Sequence, residues 1–213
     1  DSDSPDSDRI TYLGVDNYEG GQIASQLLVR FMGERGKVAV LSGVMGSFNL
    51  DARVNGFVDA IALYPNIEVV EVVYSNDSTI TAVTLVEEVM SQHPDLTGWF
   101  FAGLWAFLPG QGAMPLWENA TLNGDVYNVG FDTLPLQLSL MRDGYLQGLV
   151  GQKYWGWGYD TVQMLYEHVF DGVVFDEFTN SGMDIITMNN VGAMITAWEN
   201  NNFSEALPPP FED

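Results

Sequence analysis

Asp16-Asn17, Asn49 with Arg53, Ser75-Asn76-Asp77, Leu104-Trp105, Asp132 and Gln152 share one property. Each follows, directly or after a short loop, an apolar run rich in β-branched residues. Carboxylates accept hydrogen bonds, a guanidinium donates them, and amides do both, so such a set can grip several hydroxyls at once. An indole face can cover the apolar C–H side of a sugar ring. The inventory suits a neutral polyol.

It suits catalysis poorly. His93 ends a helical segment in "SQHP" and His168 lies inside "YEHVF"; neither follows a strand. There is no GxSxG elbow, no GxGxxG after a strand and no P-loop, and "GERGK" (33–37) is a helix end before a strand rather than a phosphate cradle. Asp16, Asp77 and Asp132 could hold Mg²⁺ at strand ends, but no nucleophile or phosphate-binding lysine accompanies them. The expectation is a non-enzymatic protein with no cofactor and no metal site. A Mg²⁺-dependent hydrolase stands as the lesser alternative.

The apolar runs that must position these residues are "ITYLGV" (10–15), "KVAVLSG" (37–43), "IEVVEVVY" (67–74), "GWFFAG" (98–103), "VYNVGF" (126–131) and "LQGLVG" (146–151). Helical periodicity lies between them. Ile23, Leu27, Leu28 and Phe31 form one stripe, ended by Gly36; Val54, Phe57, Val58 and Ile61 form another, stopping before Pro65. Ile80, Val83, Leu85, Val86 and Val89 make a third, and later helices are expected over 134–143 and 158–171. Alternation of strand and helix at roughly 30-residue spacing predicts βαβ units: an α/β fold with a doubly wound, mostly parallel sheet. In such sheets ligands bind beyond the carboxyl ends of the strands, which is where the polar residues fall. The end differs: "MDIITMNNVGAMITAWENNNF" reads as a short strand, a turn and a final helix, and "LPPPFED" as an extended acidic tail.

The chain has 213 residues, with 29 acidic against 7 basic side chains and a formal charge of −22. Such a field repels phosphate backbones, so no nucleic-acid partner is expected. The absence of cysteine excludes disulfides and thiolate chemistry and fits an exported or a cytosolic protein equally. No apolar stretch approaches the length of a membrane helix, so direct membrane insertion is not expected. The opening "DSDSPDSD" has Asp6 and Tyr12 where a calcium loop of the EF-hand type needs glycine and glutamate. A first residue of Asp rather than Met reads as processing or truncation.

Taken together, "GVDNYEGGQIASQLL", "NLDARVNGFVDAI", "HPDLTGWFFAG", "VGFDTLP" and "GYLQGLVGQKYWGWGYDTVQML" resemble, in order, the sugar-binding proteins of bacterial ABC importers, ribose-binding type. That type I periplasmic binding fold is shared with the sensor domains of LacI-like repressors. The resemblance implies two α/β lobes joined by three hinge strands that close on a sugar. It implies that Arg53 donates to sugar hydroxyls, that Asp132 accepts from them, that Gln152 faces the ligand at a hinge, and that Asp1 belongs to the grip of a first lobe. Where the ribose-binding pattern has asparagine after the fourth strand, this chain has Leu104 and Trp105. Asp77 replaces an aromatic, and Ser2 replaces an arginine.

On this reading residues 1–15 end an N-terminal lobe and enter the hinge, and 16–152 form the C-terminal sugar-binding lobe. Residues 153–187 hold a helix and strand of the N-terminal lobe, and 188–213 the last hinge, a helix and the tail. Most of the N-terminal lobe is expected to be missing, which would leave Val162, Leu165, Tyr166 and Val169 exposed. Several residues keep a plainer alternative: Asp132, Asn49 and Asp77 as helix caps, Arg53 as a surface ion pair, Trp105 as core. Asn17 is read as an N-cap, and Trp155 and Trp157 as packing residues near the hinge. The expected partners are a small sugar, an ABC transporter permease and the absent lobe. The expected location is periplasmic or extracellular, with a lipid anchor as one option. The alternative function is the effector-sensing domain of a LacI-like repressor.

Overall fold

A computed structural model describes residues 2–211. Strand β1 (Tyr12–Gly14) leads into α1 (Asn17–Met32), then β2 (Gly36–Ser42), α2 (Phe48–Ile61), β3 (Ile67–Tyr74) and α3 (Thr79–Gln92). β4 (Gly98–Phe101) is followed by a 3-10 turn at Trp105–Phe107 and by α4 (Pro115–Leu122). β5 (Tyr127–Phe131), α5 (Pro135–Arg142), β6 (Gly148–Gln152) and α6 (Tyr154–Tyr166) come next. A π-helical turn extends α6 over Glu167–Asp171, before β7 (Phe178–Asn180), β8 (Met183–Ile186) and α7 (Val191–Asn200).

Six strands form one sheet in the order β3-β2-β4-β5-β6-β8, parallel except for β8, which runs antiparallel to β6. β1 and β7 pair with each other outside it. The central strands are buried along their whole length because both faces are covered. On one face α1 and α2 pack Leu28, Val54, Phe57 and Ile61 onto Val40, Phe100 and Val129. On the other, α3, α4, α5 and α7 enclose Val86, Trp99, Phe101, Trp117 and Leu138. The doubly wound, mostly parallel sheet expected from the sequence is present.

Details depart from the expectations. α1 ends at Gly33, whose φ of 66° lets its N–H reach the Val29 carbonyl; Gly36 instead opens β2. Ile80 is 81% exposed rather than core, because it sits in the first turn of α3 ahead of the packed stripe. α6 begins at Tyr154, four residues before the expected start. None of its residues is buried, and Val162, Leu165, Tyr166 and Val169 are exposed. β8, in the segment read as belonging to the other lobe, lies at the edge of the six-stranded sheet. Among the described residues no helix is long and apolar enough to cross a membrane.

Candidate functional site

β2 and β4 are neighbours although β3 lies between them in the chain, so the strand order reverses at their tips. The helices that follow, α2 and the 3-10 turn with α4, leave on opposite faces and open a crevice there. Arg53, on the second turn of α2, points into this edge and is only 2% exposed, which rules out the surface ion pair. Its Nε donates to Asn17 Oδ1 at 2.8 Å and an Nη to the Ala102 carbonyl, at the tip of β4, at 2.9 Å. The guanidinium lies 3.8 Å from the centroid of the Phe131 ring, a cation–π contact. Burial pushes its pKa down to about 10, and the charge of Asp132 acts in the opposite direction.

Asp132, just past β5, has a φ of 78°, a left-handed conformation uncommon outside glycine. Its backbone N–H donates to Val150 while its carboxylate accepts from Gln152 Nε2 at 2.7 Å, so the tips of β5 and β6 are tied by one residue. Asp132 does not cap α5, whose N-cap is Leu134 with Gln137 accepting from the Leu134 N–H. Beside it Tyr154 has its phenol pKa raised to about 12, first by burial and then by the Asp132 charge.

Trp105 and Asp77 meet at Gly43. A side chain there would strike the Asp77 carboxylate and the benzo ring of Trp105, and one at Gly103 would strike the same ring. Trp105 is half-buried and packs against the core from the crevice side. Asp77 is exposed and follows Asn76 in a pair of left-handed residues, φ 51° and 58°. It caps nothing: Ser78 is the N-cap of α3, accepting from the Thr81 N–H. Asn49 is likewise not a cap, that position being Ser47; it is buried one helical turn before Arg53. Asp1 lies outside the described residues.

Arg53, Asp132 and Gln152 thus belong to one buried network. Trp105 adjoins it just past β4, where Ala102 accepts from Arg53 and Gly103 lies against the indole, and Asp77 meets that indole at Gly43, just past β2. The sequence reading missed two participants. Asn17 is not the N-cap of α1; Asp16 is, accepting from the Glu19 N–H at 3.0 Å, which frees Asn17 to hold Arg53. Tyr12 folds back over Gly14, so that its hydroxyl bonds Asn17, a contact that only a glycine two residues on permits. The D-N pair at a strand end was the visible signal for the first; for the second there was none.

Among the described residues no group of three or more His, Asp or Glu side chains could hold a metal ion. His93 lies beside Glu71 at 3.6 Å and His168 bonds the Val173 carbonyl at 2.8 Å, both away from the crevice. A separate concavity of about 490 Å³, lined by Lys153, Asp184, Asn190 and the 203–210 tail, takes in none of the crevice residues.

An open, mostly parallel sheet with buried hydrogen-bonding groups beyond its strand tips is the setting in which α/β folds form their crevices. Residues 1–172 match the periplasmic binding protein domain, and the chain belongs to that family. It is 31% identical over 127 residues to the D-apiose import binding protein of Paraburkholderia graminis, covering 58% of this chain and 38% of that protein. It is 27% identical over 143 residues to the ribose import binding protein RbsB of Escherichia coli, covering 67% and 47%. A solute-binding protein of an ABC transporter from Burkholderia graminis, solved with D-arabinose, superposes with a TM-score of 0.79 at 29% identity. That match covers 89% of this chain and 65% of the other. The chain spans between 38% and 53% of the length of the curated relatives it matches.

Proposed function

We propose that the protein is a solute-binding component of an ABC importer that captures a small neutral sugar or polyol by hinge closure. The observation that carries this reading is the Asn17–Arg53–Asp132–Gln152 network at the sheet's switch point. Arg53 and Asp132 offset each other's charge while still offering donors and acceptors, which suits an uncharged ligand. In the proposed complex Arg53 and Asn49 donate to ring hydroxyls, Asp132 and Asp77 accept from them, Gln152 does both, and Trp105 covers the C–H face. Relatives named for D-apiose and ribose import and a structure holding D-arabinose favour a monosaccharide ligand. Nothing in this inventory supplies a nucleophile or an activated base, so binding is favoured over catalysis.

The exposed apolar stripe of α6 supports assigning residues 153–187, apart from β8 at the edge of the six-stranded sheet, to a second lobe, with the crossings after β1, after β6 and around Met188–Asn190 acting as hinges. In this scheme the closed form is what a membrane permease recognises, outside the cytoplasm. Isothermal titration of the protein from its native source with D-arabinose, D-ribose, D-xylose, D-allose, D-glucose and D-galactose tests the reading. Saturable heat is expected with at least one sugar. Arg53→Lys should weaken that binding roughly 10- to 100-fold, because an ammonium cannot reproduce the planar fork of donors. No heat with any sugar overturns the proposal.

A further inference from the structure

We infer that Gly43 and Gly103 are specificity-determining positioning residues: together they seat the Trp105 indole at the switch point and so set the depth of the crevice. The inference rests on the sugar-binding reading and deepens it.

The last paired residues of β2 and β4 are Leu41 and Phe101, which lie side by side. Gly43 and Gly103 each come two residues later, just past the ends of β2 and β4, and a Cβ on either would meet the same atom, Trp105 Cη2. Neither has a positive φ, so the backbone does not demand glycine at either position. The space does. A Cβ on Gly43 would lie 2.6 and 2.7 Å from Trp105 Cη2 and Cζ2, and closer still to the Asp77 carboxylate. A Cβ on Gly103 would lie 2.5 and 2.6 Å from Trp105 Cζ3 and Cη2. Carbon atoms rest at about 3.5–4.0 Å, so one added methyl must displace the indole by roughly 1 Å. The two glycines therefore form a floor without side chains on which the benzo ring lies, with Asp77 at its border. A displacement of that size is comparable to the difference between ring substituents that sugars present. Pockets discriminate one methylene by roughly 10- to 200-fold.

The test compares Gly43→Ala and Gly103→Ala with the parent and with Gly192→Ala, a control at a glycine with nothing near it. Affinities for matched pentose and hexose pairs are measured by titration, and the Trp105 contribution to near-ultraviolet circular dichroism is taken as the difference from Trp105→Leu. Both crevice variants should alter the Trp105 signal and change the pentose-to-hexose ratio at least fivefold, the larger ring losing more. The control should change neither. The same ratio in the crevice variants as in the parent overturns the inference. Should either single variant fold poorly, Gly103→Ala is placed in Trp105→Leu, where the clashing ring is gone. There it should add nothing to the selectivity of Trp105→Leu alone; an added effect overturns the inference. A parent that binds no sugar would instead sink the sugar-binding reading, an outcome distinct from an unchanged ratio.

Discussion

Arg53 is almost wholly buried, and a charge in that position is costly unless several groups answer it. Asn17, the Ala102 carbonyl, the Phe131 ring and the charge of Asp132 do so together. Asp132 holds its place at the expense of a left-handed backbone, on the order of 1 kcal/mol for a residue with a Cβ. Such strain persists where the side chain is needed and the surroundings fix it. Asp132→Asn keeps the shape and the acceptor for Gln152 while removing the charge that offsets Arg53. It should lower the unfolding free energy by about 1–3 kcal/mol, read from urea denaturation at neutral pH. A loss below about 1 kcal/mol in Asp132→Asn would mean that Arg53 does not depend on this carboxylate.

Helices α1 and α2 cross unusually closely, and the approach is what brings Asn17 to Arg53. A Cβ on Gly21 would fall well inside 3.0 Å of the Arg53 carbonyl oxygen, and one on Gly56 equally close to that of Tyr18. Each mid-helix glycine costs roughly 0.5–1 kcal/mol against alanine, and the close contact offsets that cost. Gly56→Ala should therefore destabilise by about 1–3 kcal/mol despite its better helix propensity, and should weaken sugar binding in parallel by separating Arg53 from Asn17. Thermal unfolding and titration of the same variant check both; a stabilised protein would contradict the crossing geometry. At this scale much was legible in the sequence. The βα rhythm located β2 through β6 to within two residues, since buried parallel strands must be apolar throughout. α4 was not legible: "PLWENATL" has no stripe, because Trp117 is its anchor and bonds Asn128 inside the core. The caps slipped by one or two residues, Asp16 for Asn17, Ser47 for Asn49 and Ser78 for Asp77, and that shift decides which side chain faces the crevice. Tyr12 entered the site through tertiary folding over Gly14, which local spacing does not encode.

Across the 213-residue chain 29 acidic side chains meet seven lysines and arginines, a net charge of −22, and Arg53 is buried away from the surface acids. Lys37 with Asp95, Arg9 with Asp3 and Lys153 with Asp184 pair locally, but the acidic side chains far outnumber the basic ones. Compaction brings these carboxylates nearer than they are in the unfolded chain, so self-repulsion subtracts from stability. The Debye length falls from about 30 Å at 0.01 M salt to about 10 Å at 0.1 M and 3 Å at 1 M. Most of the repulsion is therefore screened over the first few tenths molar. The melting temperature should climb steeply from 0.01 to about 0.3 M KCl and then level off. An effect of ion type on apolar surface would instead grow steadily to the highest concentration. The exposed stripe of α6 adds a second consequence of the same screening for the 213-residue chain taken without the proposed second lobe: once charge no longer holds molecules apart, Val162, Leu165, Tyr166 and Val169 can meet their counterparts on another copy. Light scattering recorded with the melting curve separates the two effects, since association depends on protein concentration and screening within one chain does not. A melting temperature flat across the range would show that the acidic surface is already relaxed by its own geometry, and that the charge imbalance carries no cost in the fold.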